Sequence, residues 1–149
     1  MSTPFSGGCA CGAIRYDCMA EPLLSFNCHC RDCQRASGSA FAVVLLVPKA
    51  AFTLTKGTPK YHRRTADSGN TIDRGFCPEC GSPVFVNEAA DPELVTIQAA
   101  SLDDPSWCPP AVDIFTAGAQ PWDHMNPALP KFARQPTEDQ IKELLPSRG

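Results

Sequence analysis

Long apolar runs, an excess of positive charge and internal repeats are all missing from this 149-residue sequence. The uncharged run Ala36–Pro48 stops well short of the ~18 residues that a membrane-spanning helix needs. With 13 Lys and Arg against 16 Asp and Glu, the formal net charge is −3. The chain as a whole therefore has no electrostatic pull toward nucleic acid or anionic lipid. Met1-Ser2-Thr3-Pro4 offers neither a basic nor an apolar leader segment, which predicts no export and a cytoplasmic protein. Low-complexity tracts and interior linkers are also absent, and the length is that of about one domain. Residues 1–149 are accordingly read as a single domain. At 43% hydrophobic and 19% charged residues, disorder of the whole chain is excluded.

Helical periodicity is scarce as well. The 15 prolines are about twice the usual share, which favours short strands joined by turns over long helices. Eight candidate strands follow from β-branched and aromatic content: residues 13–17, 41–47, 52–55, 60–64, 71–76, 84–86, 94–99 and 112–116. Phe41–Val47 is apolar throughout and reads as a central strand buried on both faces. Two short helices are expected. One covers Arg31–Ala36 and is ended by Ser37-Gly38. The other is the capping-box sequence Thr137-Glu138-Asp139-Gln140 before Ile141, Leu144 and Leu145. Trp107–Pro136, rich in proline, reads as an extended arm over the sheets. The predicted class is mainly β, a sandwich or open barrel of short strands.

What the sequence does have is cysteine, nine in all. At about 6% the content is below that of disulfide scaffolds, and an odd count without an export signal points to metal binding or thiol chemistry. Seven of the nine fall into three groups: Cys9-Ala10-Cys11-Gly12, Cys28-His29-Cys30-Arg31-Asp32-Cys33 and Cys77-Pro78-Glu79-Cys80-Gly81. In the last, a tight turn lets two thiolates converge on one ion while Gly supplies the positive φ. Structural zinc takes four ligands, and Cys9 and Cys11, at i and i+2 of an extended chain, point to one side and complete the set. The predicted site is Cys9, Cys11, Cys77 and Cys80. A redox Cys-x-x-Cys or disulfides are the alternatives, although a disulfide across Cys-x-Cys is awkward and no βαβ pattern surrounds Cys77.

The middle group offers three thiolates, Cys28, Cys30 and Cys33, to one ion. Three protein ligands and one open position is the catalytic pattern for zinc. His29 would point away from the thiolates in an extended segment and reads as packed or hydrogen-bonded. His62, His124, Cys18 and Cys108 are each candidates to close the site, and Cys108 as a fourth thiolate would also suit an iron–sulfur cluster. Three thiolates on a divalent ion leave one net negative charge, so such a zinc is a weak Lewis acid but suits soft sulfur ligands. A bound thiol would lose its proton and remain nucleophilic. Arg31 and Arg35 are candidates to offset the charge or hold a substrate carboxylate. Gln34, Ser37 and Ser39 are hydrogen-bonding or capping residues beside the site.

With their flanks, these groups resemble the family of glutathione-dependent formaldehyde-activating enzymes, which also contains centromere protein V. The matching segments are Gly7-Gly8-Cys9-Ala10-Cys11-Gly12-Ala13-Ile14-Arg15-Tyr16, Cys28-His29-Cys30-Arg31-Asp32-Cys33-Gln34-Arg35-Ala36-Ser37-Gly38-Ser39-Ala40-Phe41 and Phe76-Cys77-Pro78-Glu79-Cys80-Gly81-Ser82. Their order and spacing extend the resemblance over about residues 5–132, leaving residues 133–149 as a C-terminal arm and helix. The resemblance implies a tent-like fold of short antiparallel strands around two zinc ions. It implies that Cys9, Cys11, Cys77 and Cys80 hold the structural ion, and that Cys28, Cys30 and Cys33 hold the catalytic one. It also implies a carbon–sulfur lyase that joins glutathione, or a similar thiol, to formaldehyde or a related aldehyde, giving S-(hydroxymethyl)glutathione or its analogue. One departure stands out. Many relatives carry His before Ile in the strand that here reads Ala111-Val112-Asp113-Ile114-Phe115, followed by a Trp such as Trp122. Asp113 takes that place in this chain. Cys18 and Cys108 match none of the motifs and read as small core or surface residues. A zinc-stabilised binding module without chemistry is the alternative function on the same fold.

Overall fold

Eight of the ten strands lie where β-branched and aromatic runs predict them. The structure is a computed structural model and describes residues 3–144. Its elements are β1 (Phe5–Gly8), β2 (Arg15–Cys18), β3 (Leu24–Cys28), α1 (Arg31–Ser37), β4 (Ala42–Pro48), β5 (Phe52–Lys56), β6 (Lys60–Thr65), β7 (Thr71–Phe76), β8 (Pro83–Glu88), β9 (Leu94–Gln98), β10 (Val112–Ile114) and α2 (Glu138–Leu144). Strands β1 and β3 escape a propensity reading for identifiable reasons. β1 is Phe-Ser-Gly-Gly, with little side chain to pack. β3 alternates in reverse, because it is Ser25 and Asn27 that are fully buried while Leu24 and Phe26 are half-buried. In α2 the capping box forms as expected: Gln140 N–H donates to Thr137 Oγ1 at 3.2 Å and Thr137 N–H to Gln140 Oε1 at 2.9 Å. Leu145, expected in this helix, lies outside the described residues.

The strands form two sheets. A short one has the order β1-β2-β5, and a long one the order β10-β3-β4-β9-β8-β7-β6. Pairing is antiparallel except between β10 and β3, which run parallel with Val112 opposite Phe26 and Ile114 opposite Cys28. The expected antiparallel arrangement is thus joined at one edge by a single parallel pair. A parallel pair needs a long crossover, and residues 29–111 supply one. Within residues 107–136, read as an extended arm, the strand expected at 112–116 forms as Val112–Ile114 and completes the sheet edge.

Register gives the long sheet two distinct faces. On the inner face, Leu45 opposes Ile97, Val47 opposes Val95 and Phe85 opposes Ile97. These residues pack with Phe5, Ile14 and Tyr16 of the short-sheet half to form the main core. Phe52 bridges the sheets, 5.1 Å from the Tyr16 ring and 5.0 Å from the Phe85 ring; such pairs contribute about 0.5–1.5 kcal/mol beyond their buried area. Tyr16, with no exposed surface, donates its hydroxyl to Ser101 Oγ at 2.7 Å, and Ser101 donates onward to the Gln98 carbonyl. The outer face carries Cys28, Ala42, Val44, Gln98, Val86, Arg74 and His62. Helix α1 lies over it against β4. A second, smaller apolar cluster, built on Val112 and Ile114 of β10, surrounds the cysteines at its far end.

Candidate metal centres

The first centre joins two turns of like construction, one from each sheet. Between β1 and β2, Gly12 at φ 79° donates its N–H to the Cys9 carbonyl. Between β7 and β8, Gly81 at φ 77° donates to the Cys77 carbonyl. A side chain at either glycine would have to enter the left-handed region, which glycine adopts without penalty. Cys9 Sγ lies 3.6 Å from Cys11 Sγ, and Cys11 Sγ lies 3.7 Å from Cys77 Sγ. All four sulfurs of Cys9, Cys11, Cys77 and Cys80 fall within 4.8 Å of one another. A tetrahedron of ~2.3 Å metal–sulfur bonds has edges of about 3.8 Å, so the cage fits zinc. The same spacings are far beyond a disulfide bond, and all nine cysteines are free. N–H groups aim at the sulfurs: Ile14 N–H donates to Cys9 Sγ at 3.2 Å and Glu79 N–H to Cys77 Sγ at 3.4 Å. The Ser82 hydroxyl, with the N–H groups of Ser82 and Cys11, holds the Cys80 thiol down at about 5. Such a donor set favours thiolate, the form that ligates metal.

The second centre sits where β3 meets α1. Cys28 ends the strand, Cys30 caps the helix by accepting the Cys33 N–H at 3.3 Å, and Cys33 lies in the first turn. Their three sulfurs are also within 4.8 Å of one another. Among the described residues no fourth His, Cys, Asp or Glu joins them. Hydrogen bonds from the Cys28 and Cys33 thiols pull Cys30 down to about 2 despite burial, helped by the Cys33 N–H and the Arg74 guanidinium. Contacts with Cys30 and Cys33, together with burial, push Cys28 up in turn. The residues proposed to close the site lie elsewhere. Cys18 is buried in the main core and Cys108 packs against it. His62 sits over the β6–β7 side of the outer face, and His124 lines a separate cavity behind His29.

His29 turns away from the sulfurs, as its place in an extended segment requires. Fully buried, it bonds Asp113 Oδ1 through Nε2 at 2.8 Å and stands with Nδ1 3.4 Å from Asp123 Oδ2. Asp113 is 1% exposed and also accepts from Asn27 Nδ2 at 3.0 Å and from the Lys131 ammonium at 2.8 Å. Asp113 therefore belongs to a buried network behind the cysteines, and Trp122 lies exposed on the surface. Gln34 clamps the cysteine turn. Its amide donates to the His29 and Gly118 carbonyls at 2.7 and 2.8 Å, and its oxygen accepts from Gln120 at 3.0 Å. Ser37 caps within the helix by donating to the Cys33 carbonyl. Arg31 and Arg35 are both exposed, and Arg31 turns to Gln34 Oε1. The cation found at the thiols is Arg74, whose Nη2 lies 3.9 Å from Cys33 Sγ. Nothing in the local sequence marks Arg74, which stands 41 residues from Cys33 and meets it only through sheet register.

A family model described as glutathione-dependent formaldehyde-activating enzyme matches residues 4–118. A Penicillium rubens protein, provisionally named as such an enzyme, is 35% identical over 92 residues, which make up 56% of this chain and 47% of that protein. One from Halomonas elongata, with the same provisional name, is 29% identical over 108 residues, 70% of this chain and 69% of its own. The chain spans about half the length of the Penicillium relative. A crystal structure of a Rhodobacter sphaeroides protein shares the fold, with a TM-score of 0.55 at 17% identity over 85% of this chain and 98% of that one.

Proposed function

The chain belongs to the glutathione-dependent formaldehyde-activating enzyme family, and on that premise we propose that it joins a thiol to an aldehyde at Cys28, Cys30 and Cys33, as a zinc-dependent carbon–sulfur lyase. Residues 1–149 act as one unit in this reading, and the first, four-cysteine centre, Cys9, Cys11, Cys77 and Cys80, is structural. The observation that carries it is the contrast between the two centres. One is a closed set of four thiols that ties the sheets together, and the other is an open set of three beside the Arg74 guanidinium.

Zinc held by Cys28, Cys30 and Cys33 would keep an incoming thiol in its nucleophilic, deprotonated form. Everything else falls to the chain. The strand end and helix cap fix the three sulfurs before substrate arrives. Arg74 offsets their accumulated charge, and the apolar cluster around Ile114 and Phe115 limits water on the inner side. In the reaction the thiol sulfur attacks the aldehyde carbon. The carbonyl electron pair moves to oxygen, which takes up the proton the thiol gave away. Holding the two reactants together supplies most of the acceleration such an easy addition needs.

Exchange NMR of formaldehyde with glutathione tests this directly. Zinc-loaded protein is expected to speed the exchange, whereas Cys30→Ala should lose that effect and one of two zinc ions while the other stays bound. Undiminished acceleration by Cys30→Ala would overturn the proposal.

A further inference from the structure

Sheet register places more than the cysteines on the outer face. His62 opposes Arg74, Arg74 opposes Val86, and Gln98 lies two residues beyond Thr96, which opposes Val86. These side chains, with Ala36 of α1 and Phe76, line a cavity of about 170 Å³. Two of them bring polar groups to it. Gln98, 7% exposed, adds a side-chain amide to a lining that is otherwise largely apolar. Half-buried Arg74 has no carboxylate within 4.0 Å among the described residues. The Arg74 charge acts on the Glu88 carboxyl of β8, but the two groups form no ion pair within 4.0 Å among the described residues. A guanidinium fork beside the Cys33 thiol, with an amide in the same largely apolar lining, is an arrangement complementary to a planar carboxylate.

Building on the thiol–aldehyde reading above, we propose that Arg74 and Gln98 form a carboxylate subsite that selects an acidic thiol as the substrate of the Cys28–Cys30–Cys33 centre. Arg74 Nη2 is 3.9 Å from Cys33 Sγ, so a carboxylate a few bonds from the reacting sulfur reaches the guanidinium while the sulfur reaches the cysteines. The cavity is well below the ~300 Å³ of a site that encloses a whole ligand; it has room for one acidic arm and leaves the rest of a larger thiol outside. Arg31 and Arg35, exposed on α1, do not face this cavity. Arg74 is in this view a specificity-determining residue, and the carboxylate belongs to the thiol and not to the aldehyde.

Calorimetric titration of the zinc-loaded protein with 3-mercaptopropionate and with 2-mercaptoethanol tests the assignment. The two probes bring the same sulfur and differ in the acid, so the ratio of their affinities reports the subsite alone. The wild type should favour the acid by roughly tenfold or more, the scale of a charge-assisted hydrogen-bond pair. Arg74→Met should bring the ratio near one, Gln98→Leu should lower it part of the way, and Arg74→Lys should restore a part of the preference. Zinc content is measured on each variant to confirm that it is folded. Equal affinities in the wild type, or a preference that survives Arg74→Met, would overturn the subsite while leaving the thiol-binding centre standing. If neither thiol binds, both the centre's reading and the subsite fall. A preference seen only for glyoxylate over formaldehyde would give the carboxylate to the aldehyde and overturn the proposal as stated.

Discussion

Asp113 shows at the scale of one residue how a departure from a family pattern is absorbed. Its carboxylate is buried, which alone would oppose ionisation, but hydrogen bonds from His29, Lys131 and Asn27 outweigh burial and hold the group below the usual carboxylate range. The ordinary unfolded value is about 3.9. Because the folded value is lower, the stabilisation is complete above that pH and disappears as pH falls through the folded value. Asp113→Asn keeps the shape but loses the charge. It should lower stability by about 1–2 kcal/mol at neutral pH, the worth of a partly screened charged hydrogen-bond set. In urea denaturation at several pH values, the gap to wild type should close as the solution is acidified below about pH 4. A gap that stays constant down to the acid limit would show that Asp113 is not ionised in the fold. His29 illustrates the same lesson in reverse. A histidine between two cysteines of a candidate metal centre invites assignment as a ligand, but strand alternation turns it 2.8 Å from Asp113 instead.

At the scale of the element, α1 carries the second centre, and its position is set by side chains on both flanks. Asp32, 3% exposed, pairs with Arg64 Nε of β6 at 2.8 Å and accepts the Asp67 N–H at 3.0 Å, tying the β6–β7 turn to the helix start. The Arg31 N–H in turn donates to Asp67. On the other side Gln34 joins the helix to the cysteine turn and to Gly118 of the arm. At Gly118 a Cβ would come within 2.9 Å of the His29 carbonyl, so the arm approaches that closely only because the residue is glycine. Gln34→Leu removes the shared donor from a buried carbonyl, His29, and a half-buried one, Gly118. The expected cost is about 1–3 kcal/mol by urea denaturation, the scale of one buried group left unbonded. Amide exchange should speed up in residues 115–120 before the rest of the sheet. Loss of stability with unchanged local exchange would show that the clamp does not hold the arm.

Across the whole molecule, the four-cysteine centre is the point where the β1–β2 turn of the short sheet meets the β7–β8 turn of the long one. Metal bound there would act as a cross-link, since binding free energy for a site absent in the unfolded chain is folding free energy. Cys77→Ser should therefore lower the melting temperature by at least about 10 °C, on the scale of 2–4 °C per kcal/mol for chains of this size. Cys30→Ala, at the open centre, should lower it by far less while abolishing exchange activity. Equal thermal losses at both centres would remove the division into structural and reactive sites. The cysteine groups, the cap residues of α1 and α2 and eight strands were legible in the sequence because each rests on neighbours in the chain: ligand spacing, a capping box, a period of two. Sequence also paired the outer cysteine groups, since zinc takes four ligands and Cys9 and Cys11, at i and i+2 of an extended chain, offer two thiols on one side. What it did not show are β3, whose polar residues face inward, the parallel place of β10, the His29–Asp113 bond across 84 residues, and Arg74 beside Cys33. Each of these depends on which strands become neighbours and in what register. Register is fixed by burying Leu45, Ile97, Phe85 and Tyr16 together, a condition on the whole chain that no local stretch of residues carries by itself.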